Sequence, residues 1–309
     1  MRRLPALTAT AVLAVATLAL TACTDASQQP AGSGGASDEA SAEASFDPST
    51  VEVDEEIAAL LPQEIADKGT LTVGSDTAYA PAEFIDADGK TPVGFDIDTI
   101  TAVAAVLGLD VEVQSAAFDG IIPAIGSKYD AGISAFTITD ERTAEANMIS
   151  YAVAGSQYGV AAGNPEDFDP ESLCGTTIGV QTSTIQDDEL TAATEQCEKD
   201  GEEPIDVVRY ESQADVTTNL VGGKLQAMYA DSPITAYAVE QTSGEVETVG
   251  DILDAAPYGI VVSQDDQDLT DAVQAAVQKL IDDGTLEQVF ASWGSADAVV
   301  EEAELNPAE

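Results

Sequence analysis

Between residues 69 and 294, short apolar runs alternate with stretches whose apolar residues recur at helical spacing, the pattern of an α/β fold. Runs at 71–73, 111–113, 132–135, 177–180, 206–210, 227–230 and 258–262 predict strands, most of them short enough to be central parallel ones. From Phe95 the period changes. Ile97, Ile100, Val103, Ala104 and Leu107 share one face of a helix, with Asp96 placed as its cap and Gly108 as its stop. Leu269, Val273, Ala276, Val277 and Leu280 predict a second amphipathic helix ended by Gly284, and 286–293 predicts a last short one. A patterned stretch of this length favours two lobes of about 100 residues each over one oversized core.

The first residues follow another rule. Arg2 and Arg3 precede an apolar run from Ala6 to Leu20 that is short for a bilayer span, and Leu20-Thr21-Ala22-Cys23 follows at once. Residues 1–22 therefore read as a secretory signal peptide. Leu20-Thr21-Ala22-Cys23 resembles a bacterial lipobox, which implies cleavage before Cys23 and acylation, palmitate included, of that cysteine. Residues 24–56 are mostly Ala, Ser, Gly, Asp and Glu, with almost no large apolar side chain before Phe46. Such a stretch buries too little to offset its ordering entropy. The expectation is a lipidated Cys23 and flexible acidic tether over 23–67, a folded part over 68–296 and an acidic tail over 297–309. The protein is then exported and anchored to the outer face of the cytoplasmic membrane. With Cys23 consumed by lipid, Cys174 and Cys197 remain as one pair in a compartment that permits oxidation. The expected disulfide closes a loop that contributes roughly 3 kcal/mol in the chain-entropy account.

Charge narrows the function classes. The chain carries 57 acidic and 10 basic residues and no histidine, a formal charge of −47. Nucleic acid is excluded as a natural partner, as are histidine-dependent triads and the usual zinc sites. The acidic pairs Asp187-Asp188 and Asp265-Asp266 lack the spacing and turn glycine of a calcium loop, so no metal and no cofactor are expected. The acidity is that of a solvated, self-repelling surface.

In so acidic a chain each arginine is informative. Beyond the leader there are two, Arg142 and Arg209. Arg142 closes Phe136-Thr137-Ile138-Thr139-Asp140-Glu141-Arg142 just after a strand, where a guanidinium fork beside hydroxyls and backbone N–H groups suits a carboxylate. Local sequence equally allows it to pair with Asp140 or Glu141 on a helix surface. Arg209, within a strand-like run, reads as an ordinary ion-pair partner. Asp231 follows the run 227–230 and suits an ammonium, or caps the helix that starts near Pro233. Asp76, Tyr79 and Phe118 follow their own strands in the same way.

These stretches occur in one order: Gly69-Thr-Leu-Thr-Val-Gly-Ser-Asp-Thr-Ala-Tyr-Ala-Pro, Val93-Gly-Phe-Asp-Ile-Asp, Phe118-Asp-Gly-Ile-Ile-Pro, Thr137-Ile-Thr-Asp-Glu-Arg and Ala230-Asp-Ser-Pro. The string resembles the family 3 bacterial solute-binding proteins from about Lys68 to Trp293, most of all their glutamine-binding and lysine/arginine/ornithine-binding members. The resemblance implies a type II periplasmic-binding-protein clamshell, with two α/β lobes joined by two hinge strands. Lobe 1 would be 68–153 with 258–296, and lobe 2 would be 154–257.

It further implies that Arg142 clamps a ligand α-carboxylate with Thr137, Thr184 and the Ala135 segment, and that Asp231 takes the α-ammonium. Phe118 and Tyr79 would sandwich the ligand side chain, and Asp76 would meet its polar or cationic end. The implied partners are a free amino acid with a polar or basic side chain, an ABC permease and its ATPase, with the protein a monomer and not an enzyme. Two alternatives on the same fold are a prephenate or arogenate dehydratase and a ligand sensor. Three departures stand out: Ala82-Glu83-Phe84, Asn147-Met148-Ile149-Ser150, and Ser183-Thr184-Ile185 in place of the commoner Gly-Thr, which leaves the second lobe's backbone approach open.

Overall fold

The computed structural model describes residues 46–307, so the leader, Cys23 and the first part of the expected tether lie outside the described residues. The strands are β1 (Thr70–Ser75), β2 (Ala78–Tyr79), β3 (Glu83–Ile85), β4 (Pro92–Val93), β5 (Asp110–Ser115), β6 (Ala131–Gly132), β7 (Asn147–Ala161), β8 (Thr177–Gln181), β9 (Asp206–Tyr210), β10 (Ala227–Asp231) and β11 (Val246–Val262). The helices are α1 (Glu55–Ala58), α2 (Gln63–Lys68), α3 (Phe95–Val106), α4 (Asp140–Thr143), α5 (Ile185–Asp200), α6 (Gln213–Val221), α7 (Ser232–Gln241), α8 (Gln267–Asp282) and α9 (Thr285–Ser292).

Eight strands form one sheet in the order β5-β1-β6-β11-β7-β10-β8-β9, and β2, β3 and β4 form a small separate sheet. β1 lies parallel to β5 and β6, and β8 lies parallel to β9 and β10. Each end of the large sheet is thus a parallel α/β unit, and β7 and β11 join the two. They run antiparallel to each other, and their register breaks between Val249 and Leu253, Leu253 and Ala256, and Tyr258 and Gly259. The chain crosses between lobes there. Gly155 sits at the crossing because a Cβ on it would stand 2.3 Å from the Leu253 carbonyl oxygen. The result is the expected two-lobed α/β clamshell with two connecting strands.

β7 escapes the sequence pattern, and only the end of β11 is visible in it. β7 is buried along almost its whole length, so the two-residue alternation of a half-exposed strand is missing. The helices are more legible. α8 buries Leu269, Val273, Ala276, Val277 and Leu280 as their spacing predicts, packing with Leu71, Val73, Ile100, Val103 and Phe290 in the first-lobe core. Tyr158, Val160, Ile178, Val180 and Leu190 form a second-lobe core.

Some expectations need correction. Asp96 does not cap α3. Gly94 holds the cap position at φ 132°, where a side chain would collide with the Ala82 carbonyl. Asp96 is instead buried as the second residue of the helix, accepting from the Ala135 N–H at 2.6 Å and the Tyr151 hydroxyl at 2.6 Å.

Folded structure also extends past both expected boundaries. Phe46, Val51, Ile57 and Leu61 pack on the first-lobe core, and Asp54 caps α1. Within the tail, Val299 and Leu305 bridge to Ala152 and Ile149 of β7, and Ala303 is buried. The tail covers a strand edge that would otherwise present unpaired backbone groups. Cys174 and Cys197 are bridged, tying the approach to β8 to α5 across 23 positions. No helix among the described residues is long and apolar enough to cross a membrane.

Candidate ligand-binding site

The residues that converge between the lobes come from strand ends. Ser134, Ala135 and Thr137 follow β6, Phe118 follows β5, Gln181 ends β8 and Asp231 ends β10, and all line one cavity with Tyr79, Arg142, Thr184 and Gln186. Asp76, just past β1, joins the group through Gln181. Parallel strands bring this about, because their carboxyl ends open on a common crevice.

Arg142 sits on the single turn of α4, where its own backbone N–H is capped by the Thr139 hydroxyl. Its Nη1 donates to the Thr137 carbonyl at 2.8 Å, and its Nη2 reaches across the cleft to the Ser183 carbonyl at 3.2 Å. The guanidinium carbon lies 5.4 Å from the Phe118 ring centroid and 5.8 Å from that of Phe136. Both terminal nitrogens of the guanidinium are thus held by backbone carbonyls at the cleft, with the Asp231, Asp188 and Glu141 charges acting on it. Arg209 is an ordinary ion-pair partner, 2.7 Å from Asp187.

Asp231 occupies the cap position of α7, yet its side chain makes no cap bond. Its carboxylate turns into the cleft instead, accepting from the Tyr79 hydroxyl at 2.7 Å and Gln186 Nε2 at 2.9 Å. Burial pushes its pKa up, opposed by these hydrogen bonds and by the Arg142 charge. Tyr79 is pushed well above the usual phenol range, by burial first and then by the charge of Asp231.

Asp76 accepts from Gln181 Nε2 at 2.6 Å, and its own N–H donates to Ser134 Oγ at 3.1 Å. Burial raises its pKa to about 6 against the pull of the Gln181 bond. Asp76 and Asp231 are thus two buried carboxylates that accept from neutral side chains, Gln181 in one case and Tyr79 and Gln186 in the other. A buried charge so arranged is a natural seat for a cation.

Other expected contacts have further tasks in the structure. Phe118 stacks on Phe136, with centroids 4.8 Å apart, beneath the Arg142 guanidinium, while Tyr79 is committed to Asp231 through its hydroxyl. Ala135 stands at φ 46°, held there by the Asp96 carboxylate on its N–H; strain of this kind in a non-glycine residue concentrates at functional sites. The Thr184 hydroxyl caps α5, accepting from the Asp187 N–H and donating to the Gln181 carbonyl. What Thr184 offers an anion is therefore the start of a 16-residue helix. Ser183 adopts φ 63°, the left-handed conformation that glycine takes freely, so the departure at this position is accommodated at a cost of roughly 1 kcal/mol.

Gln181, Gln186 and Ser134 were not visible as site residues in the sequence. Gln181 carries the signal that marked Asp231, a polar residue closing an apolar strand. Being uncharged, it did not stand out.

The match to known proteins agrees with this geometry. Residues 71–296 match the family model described as bacterial extracellular solute-binding proteins, family 3. The chain is 37% identical over 253 residues to arginine-binding protein ArgT of Corynebacterium glutamicum, covering 81% of this chain and 83% of that protein. It is 31% identical over 229 residues to the lysine/arginine/ornithine-binding periplasmic protein of Escherichia coli, covering 71% of this chain and 85% of that one. The solved structure of an ancestral arginine-binding protein bound to arginine superposes with a TM-score of 0.67 at 31% identity, over 73% of this chain and 98% of that one. The chain belongs to the family 3 bacterial extracellular solute-binding proteins.

Proposed function

We propose that this protein captures an L-amino acid with a basic side chain, arginine first, and delivers it to an ABC permease and its ATPase. The carrying observation is the opposition of Arg142 and Asp231 across one cavity, with the buried carboxylate of Asp76 joined to that cavity through Gln181. An α-amino acid carries a carboxylate and an ammonium on one carbon, which suits an arginine facing an aspartate. Two remaining carboxylates against one guanidinium disfavour glutamate and aspartate.

In this reading Arg142 holds the α-carboxylate through two parallel N–H donors, with the α5 N-terminus completing the anion seat. Asp231 accepts the α-ammonium, already oriented by Tyr79 and Gln186. Asp76 faces the cationic end of the side chain. Binding starts on one lobe and closure adds the other, with β7 and β11 bending where their register breaks. The ligand then stabilises the closed form that the permease meets. The relatives named for arginine and for lysine, arginine and ornithine support the basic side chain. The lipobox-like Leu20-Thr21-Ala22-Cys23 supports a lipid anchor at Cys23 outside the cytoplasmic membrane, a compartment in which the Cys174–Cys197 bridge is stable.

Titration calorimetry of the mature chain with each common amino acid tests this. Arginine should bind most tightly, with lysine or ornithine weaker and glutamate and aspartate silent. Binding confined to a neutral or acidic amino acid, or to no amino acid, would overturn it.

A further inference from the structure

Gln181 closes β8 at the cleft and is almost fully buried. Its Nε2 has two acceptors, the Asp76 carboxylate at 2.6 Å and the Glu211 carbonyl at 3.1 Å. That pair fixes which way the amide is turned, because a flipped amide would set its oxygen against two other acceptors. The oxygen Oε1 is then left buried with no donor among the described residues. An acceptor in that condition costs free energy until a donor reaches it. Gln181 also lines the same cavity as Arg142 and Asp231. Lobe 1 thus contributes a carboxylate and lobe 2 a side-chain amide whose Nε2 donates to it, which leaves the amide oxygen as a second acceptor.

We infer that Gln181 is the residue by which this site distinguishes a guanidinium from an ammonium side chain, its Oε1 accepting one N–H of the planar fork while Asp76 accepts another. The inference rests on the proposed capture of a basic amino acid and specifies how arginine is preferred within that class. A guanidinium presents five N–H donors fixed in a plane, so it can satisfy two linked acceptors at once. An ammonium is a compact point charge that gains most of its energy from Asp76 alone and leaves the amide oxygen poorly paired. Sites that hydrogen-bond a substrate group reject analogues lacking it more strongly than apolar pockets reject a missing methylene.

Calorimetry with L-arginine, L-lysine and L-citrulline on the mature chain, and on its Gln181→Met and Gln181→Asn variants, tests the assignment. Met keeps the length without the acceptor; Asn withdraws it by one methylene and guards against a misfolded first variant. The wild type should prefer arginine to lysine by at least about tenfold, and citrulline, isosteric but uncharged, should bind weakly because Asp76 gains no cation. Both variants should bring the arginine-to-lysine ratio to within about threefold of unity, mainly by losing arginine affinity. An unchanged ratio overturns the inference, and so does an equal loss for both ligands, which would make Gln181 a latch between the lobes. If the wild type binds none of the three, the proposed function itself falls, an outcome separate from either of these.

Discussion

Arg142 turns its guanidinium into the cleft, where backbone carbonyls hold both terminal nitrogens, so removing it should leave the fold nearly untouched. Arg142→Ala is expected to weaken amino-acid binding by more than a hundredfold while the unfolding temperature moves little, as calorimetry and thermal denaturation would read. Arg142→Lys should recover only a small part, since a single ammonium cannot reproduce the fork. Asp76 predicts a pH dependence. Its folded pKa of about 6 lies above its ordinary value of 3.8 because burial disfavours the charged form. Between these values the unfolded chain has released a proton that the folded chain keeps. Its contribution to stability is therefore complete below the lower value and fades as pH rises through about 6. Ligand binding runs the other way. A cationic side chain needs the ionised carboxylate, so affinity for arginine should fall below about pH 6, by up to about tenfold per pH unit. Asp76→Asn should bind arginine weakly and lose that part of the profile. An unchanged pH profile in the variant would remove Asp76 from the side-chain contact.

Among the elements, the two long strands decide the behaviour of the site, and they are the ones least visible in the sequence. β7 is buried in both lobes, so nothing alternates along it, whereas α8 faces a core on one side only and its period was plain. Gly155, where β7 passes Leu253 and Ile252, is the tightest point of the crossing. Gly155→Ala should displace the paired strand or lower stability by about 1–3 kcal/mol through overpacking, measured by chemical denaturation. Wild-type stability in that variant would mean that β11 yields freely at the hinge. Asp96 shows the same limit on a smaller scale. An aspartate at the start of an apolar helical pattern reads as a cap, but the closeness of Gly94 to Ala82 starts the helix earlier and sends the carboxylate inward to Ala135.

At the scale of the molecule, the lobes touch directly through Tyr79 on Asp231, Gln181 on Asp76 and Arg142 on Ser183. A ligand that binds only the folded, closed form raises stability by about 2.7 kcal/mol at one hundred times its Kd. Thermal shift with arginine at that excess should raise the unfolding temperature, and the shift should vanish in Arg142→Ala. A shift retained in the variant would mean that the ligand binds elsewhere. The segments on either side of the family match also belong to the folded unit, for Phe46, Val51 and Leu305 all pack on the first-lobe core. Their apolar residues are sparse and lie among acids, so composition alone suggested tether and tail. Packing against an existing core needs only a few such side chains.

The sequence by itself determined the α/β class, the two-lobe arrangement, the cysteine pair and the order of the motifs around Asp76, Phe118, Thr137, Arg142 and Asp231, because strand and helix periods and local charge are written along the chain. Only the tertiary structure decided what those residues do. Whether Arg142 faces Asp140 or the cleft, whether Asp231 caps a helix, and which buried acceptor is left for a donor all depend on how strand ends from two lobes meet. A neutral residue such as Gln181 acquires chemical meaning only when burial removes water and a distant carboxylate fixes one end of its amide.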